Sequence, residues 1–264
     1  VISQSQPTAL VSGVSRGLGR HISYALKDAG YRVLGVGMAP NPQNDAIDDY
    51  QIVDLRKPIA ANLFLNQQID VLINNAGVYL DDPRRGYGDL FSLCVQDLRN
   101  TFEVNLFGTF QFVLRYAPQM IARTSGRIVC VSSGMGRLQD ADGSSFAYRS
   151  SKLAVNSMAV TVARHFESSA GDLSSFSYCP GWIRTEMGTE SAPQNPESAA
   201  ADLVQLLELP AACSNGKFFR RLDELGWDTP EPIEGDERLQ RATQLVDADL
   251  VSATDDVTRK EVQL

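Results

Sequence analysis

Histidine is nearly missing from this chain, with only His21 and His165 among 264 residues. A zinc centre needs several clustered nitrogen or sulfur ligands. The four cysteines, Cys94, Cys130, Cys179 and Cys213, do not supply them, since no two form a Cys-x-x-Cys pair. Three of them stand among apolar residues, and they read as reduced core residues of a cytosolic protein. The two histidines read as helix-surface residues, and no metal is expected. Long apolar runs are also lacking, and none approaches the roughly 18 residues of a membrane span. The first seven residues, Val1-Ile2-Ser3-Gln4-Ser5-Gln6-Pro7, have no basic group and no apolar core. A signal peptide is not expected there, and the expected location is cytoplasmic, away from membranes. A basic surplus is missing too. Residues 1–222 hold 20 acidic and 20 basic side chains, whereas 223–264 hold 12 acidic and 4 basic. Nucleic acid is therefore not an expected partner.

What the chain does have is a regular alternation of short apolar runs and amphipathic stretches. Runs at 8–11, 31–37, 51–53, 69–73, 126–133, 173–179 and 216–220 read as strands. Helices are expected at 20–29, at 59–68 as a short one, at 97–123, from just after Ser144 through Phe166, and at 196–209. Pro196 suits a first helical turn. The 97–123 helix carries an apolar stripe of Leu98, Phe102, Leu106, Phe110 and Val113. Residues 39–49 are too short and proline-rich for a crossover helix. The pattern predicts an α/β fold: one doubly wound parallel sheet of about seven strands, with helices on both faces. After Trp227 two prolines and an acidic run mark a boundary, which divides the chain into a domain over 1–227 and an acidic extension over 228–264. Within the extension, 236–246 could form a short amphipathic helix through Leu239, Ala242, Leu245 and Val246.

Chemistry-bearing residues collect at the strand ends. Gly13-Val14-Ser15-Arg16-Gly17-Leu18-Gly19 stands between a strand and a helix. Such a loop turns tightly and offers backbone N–H groups to a pyrophosphate at the helix N-terminus. A dinucleotide fold that prefers NAD places an acid after its second strand. Here Gly37-Met38 stands there, so a 2′-phosphate meets no repulsion. Arg16 is either its charge partner or a solvated loop residue. Asp54, ahead of Leu55, either binds an adenine amino group or caps the next turn. Asn74-Asn75-Ala76-Gly77 closes the fourth strand. Asn105 lies among bulky neighbours on the long helix, where an unpaired amide is costly. It either ties down a neighbouring backbone or holds a water. Tyr148 and Lys152 are four residues apart and share a helix face. A lysine held beside a phenol favours the phenolate and lowers a pKa that is ordinarily about 10. On its own a Tyr-x-x-x-Lys spacing is more often a solvated helix face.

As an ordered set, these motifs resemble the short-chain dehydrogenase/reductase family in its compact form, over about 8–227. Gly13, Gly17 and Gly19 match its cofactor loop, and Asn74-Asn75-Ala76-Gly77 its Asn-Asn-Ala-Gly signature. Asn105, Ser133, Tyr148 and Lys152 match its catalytic tetrad. Pro180-Gly181 through Thr185 match the segment that clasps the nicotinamide carboxamide. The run 179–187 and Gly216-Lys217-Phe218-Phe219 are similar to the carbonyl-reductase-like members. The resemblance implies a Rossmann-like fold and an oxidoreductase moving hydride between NADP(H), with NAD less favoured, and a small carbonyl or alcohol substrate. It implies a cofactor site of Gly13, Ser15, Arg16, Gly17, Leu18, Gly19, Asp54, Leu55, Asn75, Ala76, Gly77, Tyr148, Lys152, Pro180, Gly181, Ile183 and Thr185. Tyr148 would exchange the proton, Ser133 would bond the carbonyl oxygen, Lys152 would lower the Tyr148 pKa and bind the ribose, and Asn105 would hold a water. The family commonly forms homodimers or tetramers, so an oligomer is expected. A non-catalytic cofactor-binding sensor or scaffold is the alternative. Lyase or epimerase chemistry on bound cofactor is a third reading, and the chain lacks the larger substrate domain of such relatives. Three departures stand out. The Ser133–Tyr148 loop is two residues longer than the common pattern, the segment between strands two and three is short, and the acidic extension has no counterpart in the family core.

Overall fold

The structure, a computed structural model, describes residues 6–40, 42–86, 90–169 and 171–227. The extension 228–264, with its expected helix, lies outside the described residues. Strands β1 (Thr8–Ser12), β2 (Arg32–Gly37), β3 (Asp49–Ile52), β4 (Val71–Asn74), β5 (Ser125–Val131), β6 (Asp172–Cys179) and β7 (Phe218–Arg220) run parallel, and β8 (Asp223–Leu225) is antiparallel to β7. They form one sheet in the order β3-β2-β1-β4-β5-β6-β7-β8. The sequence pattern predicts about seven strands, and β8 is the eighth. It is three residues long with a single apolar side chain, so no alternation could reveal it. Its pairing is short, with Leu225 opposite Phe218 and Lys217 bonded to Glu224 at 2.7 Å.

The interior strands are mostly buried because both faces of the sheet are covered, and β6 buries Ser174, Ser175 and Ser177 among its apolar residues. Ala9, Val11, Val33, Ile73, Val129 and Phe176 face α1 (Gly17–Asp28) and α5 (Pro196–Leu207). Leu10, Leu34, Leu72, Ile128 and Cys130 face α3 (Thr109–Arg123) and α4 (Phe146–Glu167). Asn195 caps α5 by accepting from Ser198 N, with Pro196 in the first turn. The connection from β2 to β3 has no helix among its described residues. It is closed instead by Asn44 Nδ2 donating to the Val14 carbonyl at 3.0 Å and by Val33 N donating to Asp48 at 2.8 Å.

The long helix differs from its sequence pattern in an instructive way. It begins as α2 (Val95–Phe102), passes through a π-helical segment (Glu103–Gly108) and continues as α3. A π turn takes in an extra residue and so rotates every later side chain around the axis. The expected stripe is therefore broken at Phe110, which is 43% exposed. The buried face runs through Asn105, Gly108, Phe112, Val113, Tyr116 and Met120. The short helix expected at 59–68 is a series of turns. Phe64 takes a left-handed φ of 44°, and the carbonyls of Ala60, Ala61 and Leu63 accept from Arg115 and Tyr116 of α3. The Ala60 carbonyl also closes a local turn with Leu63 N at 3.0 Å, and bonds across to α3 take the place of a continuous helical ladder. All four cysteines are free, but two are buried rather than three: Cys130 and Cys179 are interior, Cys94 and Cys213 exposed.

Candidate active site

The chain's winding reverses between β1 and β4, and in sheets of this kind ligands bind outside the carboxyl ends of the strands at that point. Gly13 follows β1 with φ at +77°, and Asn75 follows β4. Asn75 Nδ2 donates to the carbonyls of Ser12 (2.9 Å) and Gly13 (3.3 Å), while the Asn75 and Ala76 N–H groups both donate to Ser12 Oγ at 3.0 Å. The two strand ends are thus sewn together. A Cβ on Gly19 would collide with the Gly13 carbonyl oxygen and Asn75 Nδ2, which explains the glycine at that position.

Two features suit this loop to a nucleotide phosphate. Helix α1 opens at Gly17 with no side-chain cap and no acid in its first turn, so its first N–H groups, at Gly17, Leu18 and Gly19, are left for a ligand to satisfy. Ser15 Oγ is buried without a hydrogen-bond partner. The Thr185 side chain lies 3.7 Å from where a Cβ on Gly17 would stand, so the segment after β6 reaches over the loop. The residues present therefore fit a dinucleotide.

The adenine side departs from expectation. Asp54 accepts from Arg56 N at 3.1 Å, and both its oxygens hold the Arg56 guanidinium at 2.9 Å. Those bonds hold its carboxyl down at about 2. Of its two readings, the turn cap is what the structure displays. Leu55 is buried against Gly108. Arg16 forms an ion pair with Glu186 between two well-exposed side chains.

The four residues expected at the reaction centre converge. Lys152, only 5% exposed, donates from Nζ to the Val131 carbonyl at 2.9 Å. The same Nζ lies 5.7 Å from the centre of the Tyr148 ring. Ser133 lies beside the Tyr148 phenol, and its Oγ accepts from Met135 N at 3.1 Å. Asn105 Oδ1 accepts from Val78 N at 2.7 Å, and its Nδ2 donates to the Val78 carbonyl (2.9 Å) and to Ser151 Oγ (3.0 Å). Asn105 thus ties down a neighbouring backbone, the first of its two readings. A Cβ on Gly77 would stand 3.2 Å from Asn105 Oδ1 and 3.4 Å from Lys152 Nζ, which brings the Asn-Asn-Ala-Gly turn to the same point. Beyond β6, Pro180 and Gly181 lead to Ile183, which is buried and bridges to Gln194.

The electrostatics correct one expectation. Burial raises the Tyr148 pKa well above its ordinary value and Cys179 adds to the rise, while the neighbouring Ser133 hydroxyl and the charge of Arg84 oppose it. Burial lowers Lys152 to about 8, against the neighbouring Cys130 and Cys179. Lysine was expected to lower the phenol. Here its ammonium lies over the ring face and is bonded to a carbonyl, so burial prevails.

Sequence reasoning missed a second group. The Tyr79 ring stacks on Tyr148 with centroids 4.3 Å apart. Asp81 accepts from the N–H groups of Ala147 (2.6 Å) and Tyr148 (3.2 Å). Nothing local in the sequence announces a partner more than sixty residues away. The acid pair Asp81-Asp82 ahead of Pro83 was the only signal.

Residues 7–196 match the family model described as short chain dehydrogenase. Oxidoreductase UcpA of Escherichia coli (strain K12) is 26% identical over 220 residues, spanning 76% of this chain and 80% of that protein. An NADPH-dependent pterin aldehyde reductase of Arabidopsis thaliana is 24% identical over 231 residues, spanning 79% and 90%. Among solved structures, carbonyl reductase Sniffer of D. melanogaster is similar in fold, with a TM-score of 0.73 at 22% identity over 84% of this chain and all 100% of that one. A short-chain dehydrogenase/reductase from Burkholderia multivorans with bound NADP gives 0.70 at 24% identity, over 82% and 97%. Since the family model runs from the residue before β1 to the first residue of α5, the chain belongs to the short-chain dehydrogenase family, oxidoreductases that use nicotinamide dinucleotides.

Proposed function

We propose that this oxidoreductase uses NADP(H) to interconvert a small carbonyl compound and its alcohol, with Tyr148 as the proton donor and acceptor. The observation that carries the reading is the meeting of Ser133, Tyr148 and Lys152 beside an uncapped helix N-terminus and an unpartnered Ser15 hydroxyl. Gly13, Ser15, Gly17, Leu18 and Gly19 would hold the pyrophosphate, and Asn75, Ala76 and Gly77 the ribose side. Pro180, Gly181, Ile183 and Thr185 would hold the nicotinamide end, and Leu55 would line the adenine side. Asp54 is the least suited of the set, because Arg56 occupies both its oxygens.

When bound, the nicotinamide would supply the hydride chemistry, and the residues of this chain would orient it and handle the proton. Tyr148 supplies the proton at the oxygen, and its raised pKa keeps it protonated near neutral pH, the form a donor needs. Ser133 Oγ gives a hydrogen bond to the same oxygen, where negative charge develops. Lys152, lowered to about 8, is poised to pass a proton back to Tyr148 after each turnover. Asn105 holds the backbone at Val78 and the Ser151 hydroxyl, which keeps β4's exit and α4 in register. NADPH is preferred over NADH because no acid follows β2 and Arg16 stands at the loop. Its pair with Glu186 is exposed and so costs little to exchange.

The test is NADPH oxidation against a panel of aldehydes, ketones and quinones, with both cofactors titrated by fluorescence. Tyr148→Phe is expected to lose turnover and keep NADPH binding, and Arg16→Ala to weaken NADPH more than NADH. Near-normal turnover by Tyr148→Phe, or tighter NADH binding by the native protein, would overturn the respective half of the reading.

A further inference from the structure

The segment after the Asn-Asn-Ala-Gly turn touches the start of α4 at three places. The Tyr79 ring lies against the Tyr148 ring at 4.3 Å, with 28° between their planes. The Tyr79 hydroxyl is 2.5 Å from Ser145 Oγ. Ser145 has a left-handed φ of 58° and is the residue from which α4 departs, yet its own side chain makes no cap. The cap comes from Asp81, whose two oxygens take the N–H groups of Ala147 and of Tyr148 itself.

The segment is itself anchored. Arg84 stands over the Tyr79 ring, its guanidinium carbon 5.8 Å from the centroid. Its Nε and Nη2 grip the buried Asp82 at 2.7–3.1 Å. The same guanidinium donates to the carbonyls of Met187 (2.8 Å) and Gly188 (3.1 Å), just past the clasp segment that ends at Thr185. Arg84 thus lies over one, and Lys152 over the other, of the two stacked rings of Tyr79 and Tyr148.

From this geometry we propose that Tyr79 is a positioning residue for Tyr148: its ring holds the proton donor's ring in place and shields it from water. The inference rests on the reading of Tyr148 as the proton donor. A ring free to swing would place its hydroxyl at varying distances from the substrate oxygen, and an error near an ångström costs about a hundredfold in rate. The groups facing Tyr148 are Lys152 from α4, Ser133 after β5, Cys179 at the end of β6, and Tyr79, Asp81 and Arg84 from this segment. Of these, Tyr79 supplies the stacked cover, so losing its ring lets water reach the phenol.

The experiment compares Tyr79→Ala and Tyr79→Phe in the full chain. Tyr148 is followed directly by NMR of isotope-labelled tyrosine Cζ, its resonance assigned by its loss in Tyr148→Phe. With Tyr79→Ala, the Tyr148 titration is expected to fall toward the ordinary tyrosine value by at least about one pH unit. With 4-nitrobenzaldehyde as the probe, kcat is expected to fall by about tenfold to a hundredfold while the NADPH Kd is unchanged. Tyr79→Phe keeps the stack and is expected to restore both readouts. An unchanged Tyr148 titration in Tyr79→Ala overturns the proposal whether or not the probe is turned over. So does a Tyr79→Phe variant as impaired as Tyr79→Ala, which would assign the role to the hydroxyl bond with Ser145. Full turnover by Tyr148→Phe would instead sink the underlying proton-donor reading, and the titration would still report on the brace.

Discussion

At the scale of single residues, the buried charge of Lys152 is the most consequential feature. An ordinary lysine titrates near 10.4, and burial brings this one to about 8. Between those values the unfolded chain binds more protons than the folded one. The folded state is therefore penalised in full below about pH 8, and the penalty fades as pH rises toward 10. The gap corresponds to about 3 kcal/mol, offset in part by the bond to the Val131 carbonyl. Lys152→Met is expected to raise the stability of the cofactor-free protein at neutral pH by about 1–2 kcal/mol and to abolish turnover. Urea unfolding at neutral and alkaline pH measures this, and a variant less stable than native at neutral pH would refute it. Such a trade of stability for chemistry is common at active sites. The same scale shows the limit of sequence reading. Tyr148 and Lys152 were legible because four residues on one helix must share a face. Asn105 and Asp54 were each left with two readings, because which atoms an amide or carboxylate meets depends on other segments. Val78 decided the first and Arg56 the second.

At the scale of elements, the interior strands were legible because double-sided burial favours short runs rich in apolar residues, a signal that held even where β6 buries three serines. The long helix was legible in extent but not in phase. Its π-helical segment leaves no mark in composition, and it turns Phe110 outward and Gly108 inward. Gly108 then meets the chain after β3. A Cβ there would lie 2.6 Å from Leu55 Cβ and 3.1 Å from the Leu55 carbonyl oxygen. In a straight helix an alanine would be favoured over glycine by about 1 kcal/mol. Here overpacking reverses the sign, and Gly108→Ala is expected to destabilise by about 1–3 kcal/mol. Because the helix also carries Asn105, the shift should loosen the tie to Val78 and lower turnover as well. Denaturant unfolding and kcat together check this, and a Gly108→Ala variant that is more stable than native would show that the segment can relax into an ordinary helix.

At the scale of the whole molecule, the alternation of strands and helices announced the doubly wound sheet, and the charge distribution is the ground for expecting a boundary after Trp227. The acidic excess of the chain lies wholly after residue 222. Among the described residues, the last strands and Trp227 cover the β7 edge. Trp227 stacks on the buried Phe218 with ring centres 5.2 Å apart, and its Nε1 donates to the Gly216 carbonyl at 3.1 Å. β8 pairs with β7 just before it. A cut after Trp227 leaves this cover intact, whereas a cut after Leu222 removes both β8 and the tryptophan and uncovers Phe218. Truncation after Trp227 is therefore expected to leave a folded domain that melts cooperatively and is stabilised by NADPH as the full chain is. Truncation after Leu222 is expected to lower stability by about 2–4 kcal/mol through the exposed aromatic face. Thermal melting of both forms with and without NADPH, beside size-exclusion chromatography of each, separates the cases. If the longer form already melts early or ignores NADPH, the acidic extension supports the sheet and the boundary lies further along the chain. If only its oligomeric state changes, the extension acts between subunits.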